Sequence, residues 1–130
     1  MKKHEDILGK TVTVRIDRPM GSCHPKHKTL RYPVNYGFVE GVAAGDGEAQ
    51  DAYVMGVDVP VKAFIGRVIA VIHRRDDVED KWVVAPEGAA FDKDAIFEAT
   101  QFQERFFDSE LILAEFADLP RGQQPEGDLQ

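Results

Sequence analysis

Tyr32-Pro33-Val34-Asn35-Tyr36-Gly37-Phe38, then Asp46-Gly47-Glu48-Ala49-Gln50-Asp51 running into Ala52-Tyr53-Val54-Met55, is the stretch that decides how the rest of the chain reads. An aromatic, β-prone segment leads into a small polar turn and out again into an apolar segment. Two strands joined across an Asp-Gly turn have this pattern. The turn carries three carboxylates within six positions. Such charges repel one another unless a proton or a cation sits between them. An oxygen-seeking dication such as Mg²⁺ (or Mn²⁺) is the simplest occupant. Turns are also enriched in Asp and Glu, which bond their own backbone and favour solvent. Spacing alone leaves both readings open.

On either side of this stretch the pattern stays β-rich. Thr11 to Ile16 alternates and is β-branched, so it reads as a strand. Tyr32 to Val39 reads as the second strand and Asp51 to Val57 as the third. Ile65 to Ile72 and Trp82 to Pro86 supply two more. The pattern then changes: acids at Asp92 and Asp94 precede Ile96, Phe97, Phe102 and Phe106 at roughly helical spacing. A helix is expected from Asp92 to Phe107, and Leu111-Ile112-Leu113 as a short extra strand. Five strands followed by one helix predict a mainly β, α+β fold: a small closed OB-like barrel with the helix packed on it. Residues 1–117 are expected to form that single domain and 118–130, rich in Pro, Gly, Gln and acids, a disordered tail.

Composition narrows the function. With 130 residues, 43% of them hydrophobic, the chain suits one core. A formal net charge of −7 argues against nucleic acid as a partner, because neutralising a phosphate backbone needs a basic surface. A small anionic substrate stays open, since a metal or a few local cations reverse the local field. The single cysteine, Cys23, excludes an intrachain disulfide and suits a reducing cytoplasm. No secretory core follows Met1, and no apolar run is long enough to span a bilayer. A cytoplasmic protein without a membrane partner is the expectation.

A second acidic group, Asp76, Asp77, Glu79 and Asp80, lies between the two strongest strands. If the two hairpins are neighbours, both groups open at one rim and their carboxylates share dications. Cations are interleaved: Lys26, Lys28, Arg31, Arg74, Arg75 and Lys81. That mixture suits a phosphate ligand, although surface ion pairs would use the same residues. His24 and His27 give only a weak zinc signal without a cysteine pair. Cys23 reads more simply as an idle thiol than as a nucleophile. Asn35 and Tyr36 fit core or turn positions as well as hydrogen bonding to a phosphate or a metal-bound water.

The three motifs, in order and spacing, resemble those of the soluble (family I) inorganic pyrophosphatases. That family carries Tyr-Pro-x-Asn-Tyr-Gly-Phe/Tyr, then Asp-Gly-Asp-Pro-x-Asp before an apolar strand, then an Asp-rich turn with a Lys and a strand ending in Val-Pro. The likeness covers about Val14 to Pro86 and, more loosely, the helix to Phe107. It implies an OB-like barrel, Mg²⁺ dependence, a homo-oligomer, and hydrolysis of pyrophosphate to phosphate. By the same resemblance Asp46 and Asp51 match metal ligands. Asp76 or Asp77, and Asp80 or Glu79, match those of the second turn, and Asp17 aligns with another acidic metal-site position. Glu48 stands where the family has the Asp that helps activate the attacking water. Tyr36 matches a tyrosine near the nucleophile. Lys81 and Lys26 match phosphate-binding lysines, and Arg31 is a stand-in for the family's arginine. Phe106-Phe107 replaces a Tyr-Lys pair that grips the leaving phosphate, and Lys28 stands where the family has an acid. The metal half of the site is thus kept and the anion-gripping half thinned. Two further readings stay open: a hydrolase of another phosphoanhydride such as a nucleotide, and a catalytically idle metal-binding barrel.

Overall fold

The computed structural model describes residues 7–44, 47–75 and 80–113. Six strands and one helix follow in the order β1 (Thr11–Arg18), β2 (Asn35–Ala43), β3 (Ala49–Val54), β4 (Ala63–Arg74), β5 (Asp80–Ala85), α1 (Lys93–Glu104) and β6 (Ser109–Leu113). Strand order is β1-β2-β3-β5-β4-β6, and a further β1–β4 pairing closes the first five into a barrel. The long β4 makes closure possible. Its first half pairs with β1, Thr11 facing Arg67, and its second half with β6, Ala70 facing Leu113. The expected tail at 118–130 lies outside the described residues.

Alternation along β3 and β5 sorts side chains to two faces. Ala52, Val54, Trp82 and Val84 join Val14, Val39, Val68 and Val71 inside the barrel. Tyr53, Met55, Val83 and Ala85 face outward, where Ile96 of α1 covers them together with Tyr32, Tyr36 and Ile72. Both faces are buried, which explains why β5 reads as a continuous apolar run rather than an alternating one.

The elements match the sequence expectations, with corrected ends. The second strand begins at Asn35 rather than Tyr32 and continues to Ala43, because Tyr32-Pro33-Val34 is a bent segment whose proline lacks a donor for the ladder. The third strand stops at Val54, since Gly56 takes a positive φ of 83°. The helix starts after Asp92, whose carboxylate accepts the Ala95 amide at 2.8 Å, and it ends at Glu104 rather than Phe107. Its buried stripe is Ile96, Thr100 and Glu104, one residue per turn. Phe97 and Phe106, expected on that stripe, are 54% and 63% exposed.

Gly37 shows why the Tyr-Gly-Phe motif needs its glycine. A Cβ at that position would stand 1.8 Å from the Arg15 carbonyl oxygen on β1. Gly37→Ala is therefore expected to destabilise the fold by about 2 kcal/mol through overpacking against rigid backbone. A thermal melt lowered by several degrees checks this, and an unchanged melt would show that β1 and β2 separate without cost.

Candidate active site

β3 and β5 run parallel, with Ala52 opposite Trp82. The chain therefore enters both strands from the same end of the barrel. The connection that carries the first acidic group opens β3, and the one that carries the second opens β5. Two bonds tie these neighbouring entrances together. Gln50 Nε2 donates to the Asp80 carbonyl at 2.7 Å, and Lys81 Nζ donates to Asp51 Oδ2 at 2.5 Å. Asp51 and Lys81 share the outward face with Tyr53 and Val83, at the rim.

The Lys81 side chain is 5% exposed and the Asp51 side chain 35%. A buried ammonium needs a carboxylate to be tolerated there. The carboxylate in turn keeps solvent access for a further ligand. Tyr36 lies below them, its ring centroid 6.0 Å from Lys81 Nζ. Burial raises the Tyr36 phenol well above the ordinary tyrosine range; Lys81 opposes that rise and Asp51 adds to it. The hydroxyl therefore stays protonated and serves as a donor. Asn35 is fully buried and structural. Its Oδ1 accepts the Met20 amide at 2.9 Å, and its Nδ2 donates to the Val59 carbonyl at 2.9 Å.

The remaining sequence candidates are placed as follows. Glu48 is exposed just before β3. Asp80 opens β5, and its Oδ1 lies 2.8 Å from His73 Nδ1. Asp17 lies on β1 at a bulge and acts electrostatically on the Tyr32 phenol, which burial raises. Lys26 is exposed in the loop before β2. Arg31 donates from Nη1 to the Gly21 carbonyl at 2.6 Å, on the same loop. Asp46, Asp76, Asp77 and Glu79 lie outside the described residues. Among the described residues no three His, Cys, Asp or Glu side chains converge as a metal site. Asp51 is instead paired with Lys81, and Asp80 with His73.

Two features were missed in the sequence. Arg18, next to Asp17, acts electrostatically on the Tyr32 phenol and opposes its rise; its charge also lowers His24, after burial. It adds a cation on the Tyr32–Tyr36 side, and only its place after a strand could have signalled it. Arg74, grouped above with the phosphate-facing cations, instead turns inward. Its Nε and Nη2 donate to Glu104 at 3.0 and 2.7 Å. Tyr53 and Ser109 donate to the same carboxylate at 2.6 and 2.9 Å. Arg75 also turns away, to Asp108 at 2.7 Å.

No protein-family model matches the chain, and no curated protein matches it. Solved structures do. The fold is similar to that of an inorganic pyrophosphatase from Ehrlichia chaffeensis, with a TM-score of 0.64 and 20% identity over 85% of this chain and 90% of that one. It is also similar to an inorganic pyrophosphatase from Neisseria gonorrhoeae, with a TM-score of 0.60 and 20% identity over 85% and 86%. A third, from Coxiella burnetii, gives 0.57 and 20% identity over 81% and 86%. At these identities the likeness establishes a shared fold. No helix among the described residues is long and apolar enough to cross a membrane.

Proposed function

We propose that the protein is a Mg²⁺-dependent hydrolase of phosphoanhydrides, with inorganic pyrophosphate as its simplest substrate. The supporting observation is the parallel pairing of β3 and β5, which sets Asp51 against Lys81 where both strands begin. The donor chemistry fits a hard dication. Asp51, Asp46 and Asp80 would hold it, with Asp17 and the acids 76, 77 and 79 completing the shell. When bound, such an ion supplies positive charge that acidifies water and neutralises phosphate oxygens. Glu48, exposed at the entrance, accepts the proton of the attacking water. Lys81, held by Asp51 at 2.5 Å, supplies hydrogen bonds to a phosphate oxygen, and Asp51 would be the carboxylate that holds the ion. Lys26, Arg18 and Arg31 steady the anion from the loop side.

Tyr36 donates to a substrate oxygen. Tyr36→Phe is expected to lower kcat/KM about tenfold. The pH–rate profile should keep its shape, because the phenol does not ionise in the working range. A lost limb in that profile would instead make Tyr36 an acid–base group.

Phosphate release from pyrophosphate, with Mg²⁺ and with a chelator, tests the function. Turnover only with the metal is expected. A folded protein that binds Mg²⁺ yet cleaves no phosphoanhydride would make it an idle barrel. The resemblance also carries a cytoplasmic homo-oligomer into this proposal, which sedimentation of the purified chain checks.

A further inference from the structure

Among the described residues, the larger of two cavities outside the proposed chemistry is lined by aromatic rings. It holds about 440 Å³ between the 24–30 loop and the end of α1, walled by His24, His27, Leu30, Gln103, Phe106 and Phe107. That volume suits a small organic ligand. Pyrophosphate has no apolar surface to place against such a wall. Phe106 nevertheless presents its ring 63% exposed, with the Arg105 guanidinium 5.0 Å from its centroid. Phe107 is fixed by the Arg74 guanidinium 3.7 Å over its ring.

The cavity adjoins the candidate active site through defined contacts. Gln103 accepts from the Tyr32 hydroxyl at 3.0 Å and donates to the Tyr53 hydroxyl at 2.7 Å. The His24 ring stacks 6.5 Å from Tyr32, and Tyr32 lies 5.4 Å from Tyr36. Arg18, Lys26 and His27 all act electrostatically on His24. Aromatic walls therefore meet cations, with Arg105 in the wall itself and Arg18 and Lys26 acting on His24. Stacking surfaces beside phosphate-holding cations recognise a base carried on phosphate.

We propose that this cavity receives the heteroaromatic base of a nucleoside diphosphate, whose two phosphates lie toward Lys81 and Asp51. The inference rests on the hydrolase reading and narrows its substrate class. In the reaction, the oxygen of water bonds to the terminal phosphorus as the bridging P–O bond breaks. The bridging oxygen leaves with the nucleoside monophosphate, and the water proton passes to Glu48 and then to solvent. Phe106 and Phe107, whose rings line the cavity, then hold the base.

Calorimetric titration with ADP, UDP and pyrophosphate in chelator, where no turnover occurs, tests the proposal on wild type and Phe106→Ala. Phosphate release from the same three compounds in Mg²⁺ accompanies it. The exposed Phe106 ring can be truncated without opening the core, which an unchanged melt verifies. ADP or UDP is expected to bind at least tenfold more tightly than pyrophosphate, and Phe106→Ala to erase about tenfold of that affinity. Pyrophosphate turnover with nucleoside diphosphates bound no better, or bound equally by the variant, overturns the cavity assignment and leaves the hydrolase standing. Binding that depends on Phe106 without cleavage of any compound supports the cavity and overturns the hydrolase.

Discussion

Asp51→Asn is expected to lower kcat/KM for Mg²⁺-dependent phosphate release about a thousandfold, or about 4 kcal/mol of transition-state stabilisation. The expected size follows from two roles at one carboxylate. Asp51 is the acid that the described residues place on the outward face at the rim, and it is the partner of Lys81 at 2.5 Å. Asn keeps the shape and still accepts a hydrogen bond, but it takes the Asp51 counter-charge from the buried Lys81 ammonium, so a lower melt is expected. It removes the negative charge a dication needs. The fold should survive, because the Asp51 side chain is 35% exposed and outside both cores. Full activity in the variant would remove Asp51 from the metal set. A variant that does not fold would be separated from this case by its melt, and Asp51→Glu, which keeps the charge, would then report on the site.

Glu104→Gln is expected to cost about 3–5 kcal/mol of stability, the penalty for breaking a buried ion pair by removing one charge. Glu104 is 2% exposed and receives bonds from Arg74, Tyr53 and Ser109. Gln would take the Glu104 counter-charge from the Arg74 guanidinium, which is 6% exposed. Replacing both partners, as Arg74→Met with Glu104→Leu, should cost less than the sum of the singles, because no charge is left stranded. Urea unfolding at constant m-value measures both. A single-mutant cost below about 1 kcal/mol would show that solvent reaches the pair.

The same network sets a pH dependence. Burial works against the charged form of Glu104, yet the bonds from Arg74 and Tyr53 hold its pKa below the ordinary glutamate value. The unfolded chain therefore takes up this proton first as pH falls. The stabilisation is fully present above the unfolded glutamate pKa and is lost as pH drops through the lower, folded value. Unfolding midpoints should fall in acid for wild type and fall less for Glu104→Gln. Equal acid slopes in the two proteins would assign the acid sensitivity to other carboxylates.

The barrel was legible because β-branched runs and their turns carry local signals. The Asp-Gly turn, with Gly47 at a φ of 89°, marked the approach to β3, and the Thr11–Arg18 alternation marked β1. The pairing of Asp51 with Lys81 was not legible. It depends on β3 and β5 lying parallel, which no local pattern encodes. The pairing of Arg74 with Glu104 was missed for a related reason. Charged residues read as solvated in a sequence, and only the packing of α1 against the barrel shows that this pair meets in the interior. The helix end was misjudged because Phe106 and Phe107 continued an apolar count that burial does not follow. Those two rings lie beyond α1 and face a cavity and a guanidinium. The shared rim expected from the two acidic groups falls mainly on Asp46, Asp76, Asp77 and Glu79, which lie outside the described residues.

An anomalous difference map from crystals soaked with Mn²⁺ and a non-hydrolysable pyrophosphate analogue tests most directly whether carboxylates from both connections share dications. Peaks bonded to Asp51 and to at least one acid of the 76–80 segment, with the analogue against Lys81, are the predicted result. Metal found only at His24 and His27, or none at the β3–β5 entrance, would contradict a hydrolytic centre there.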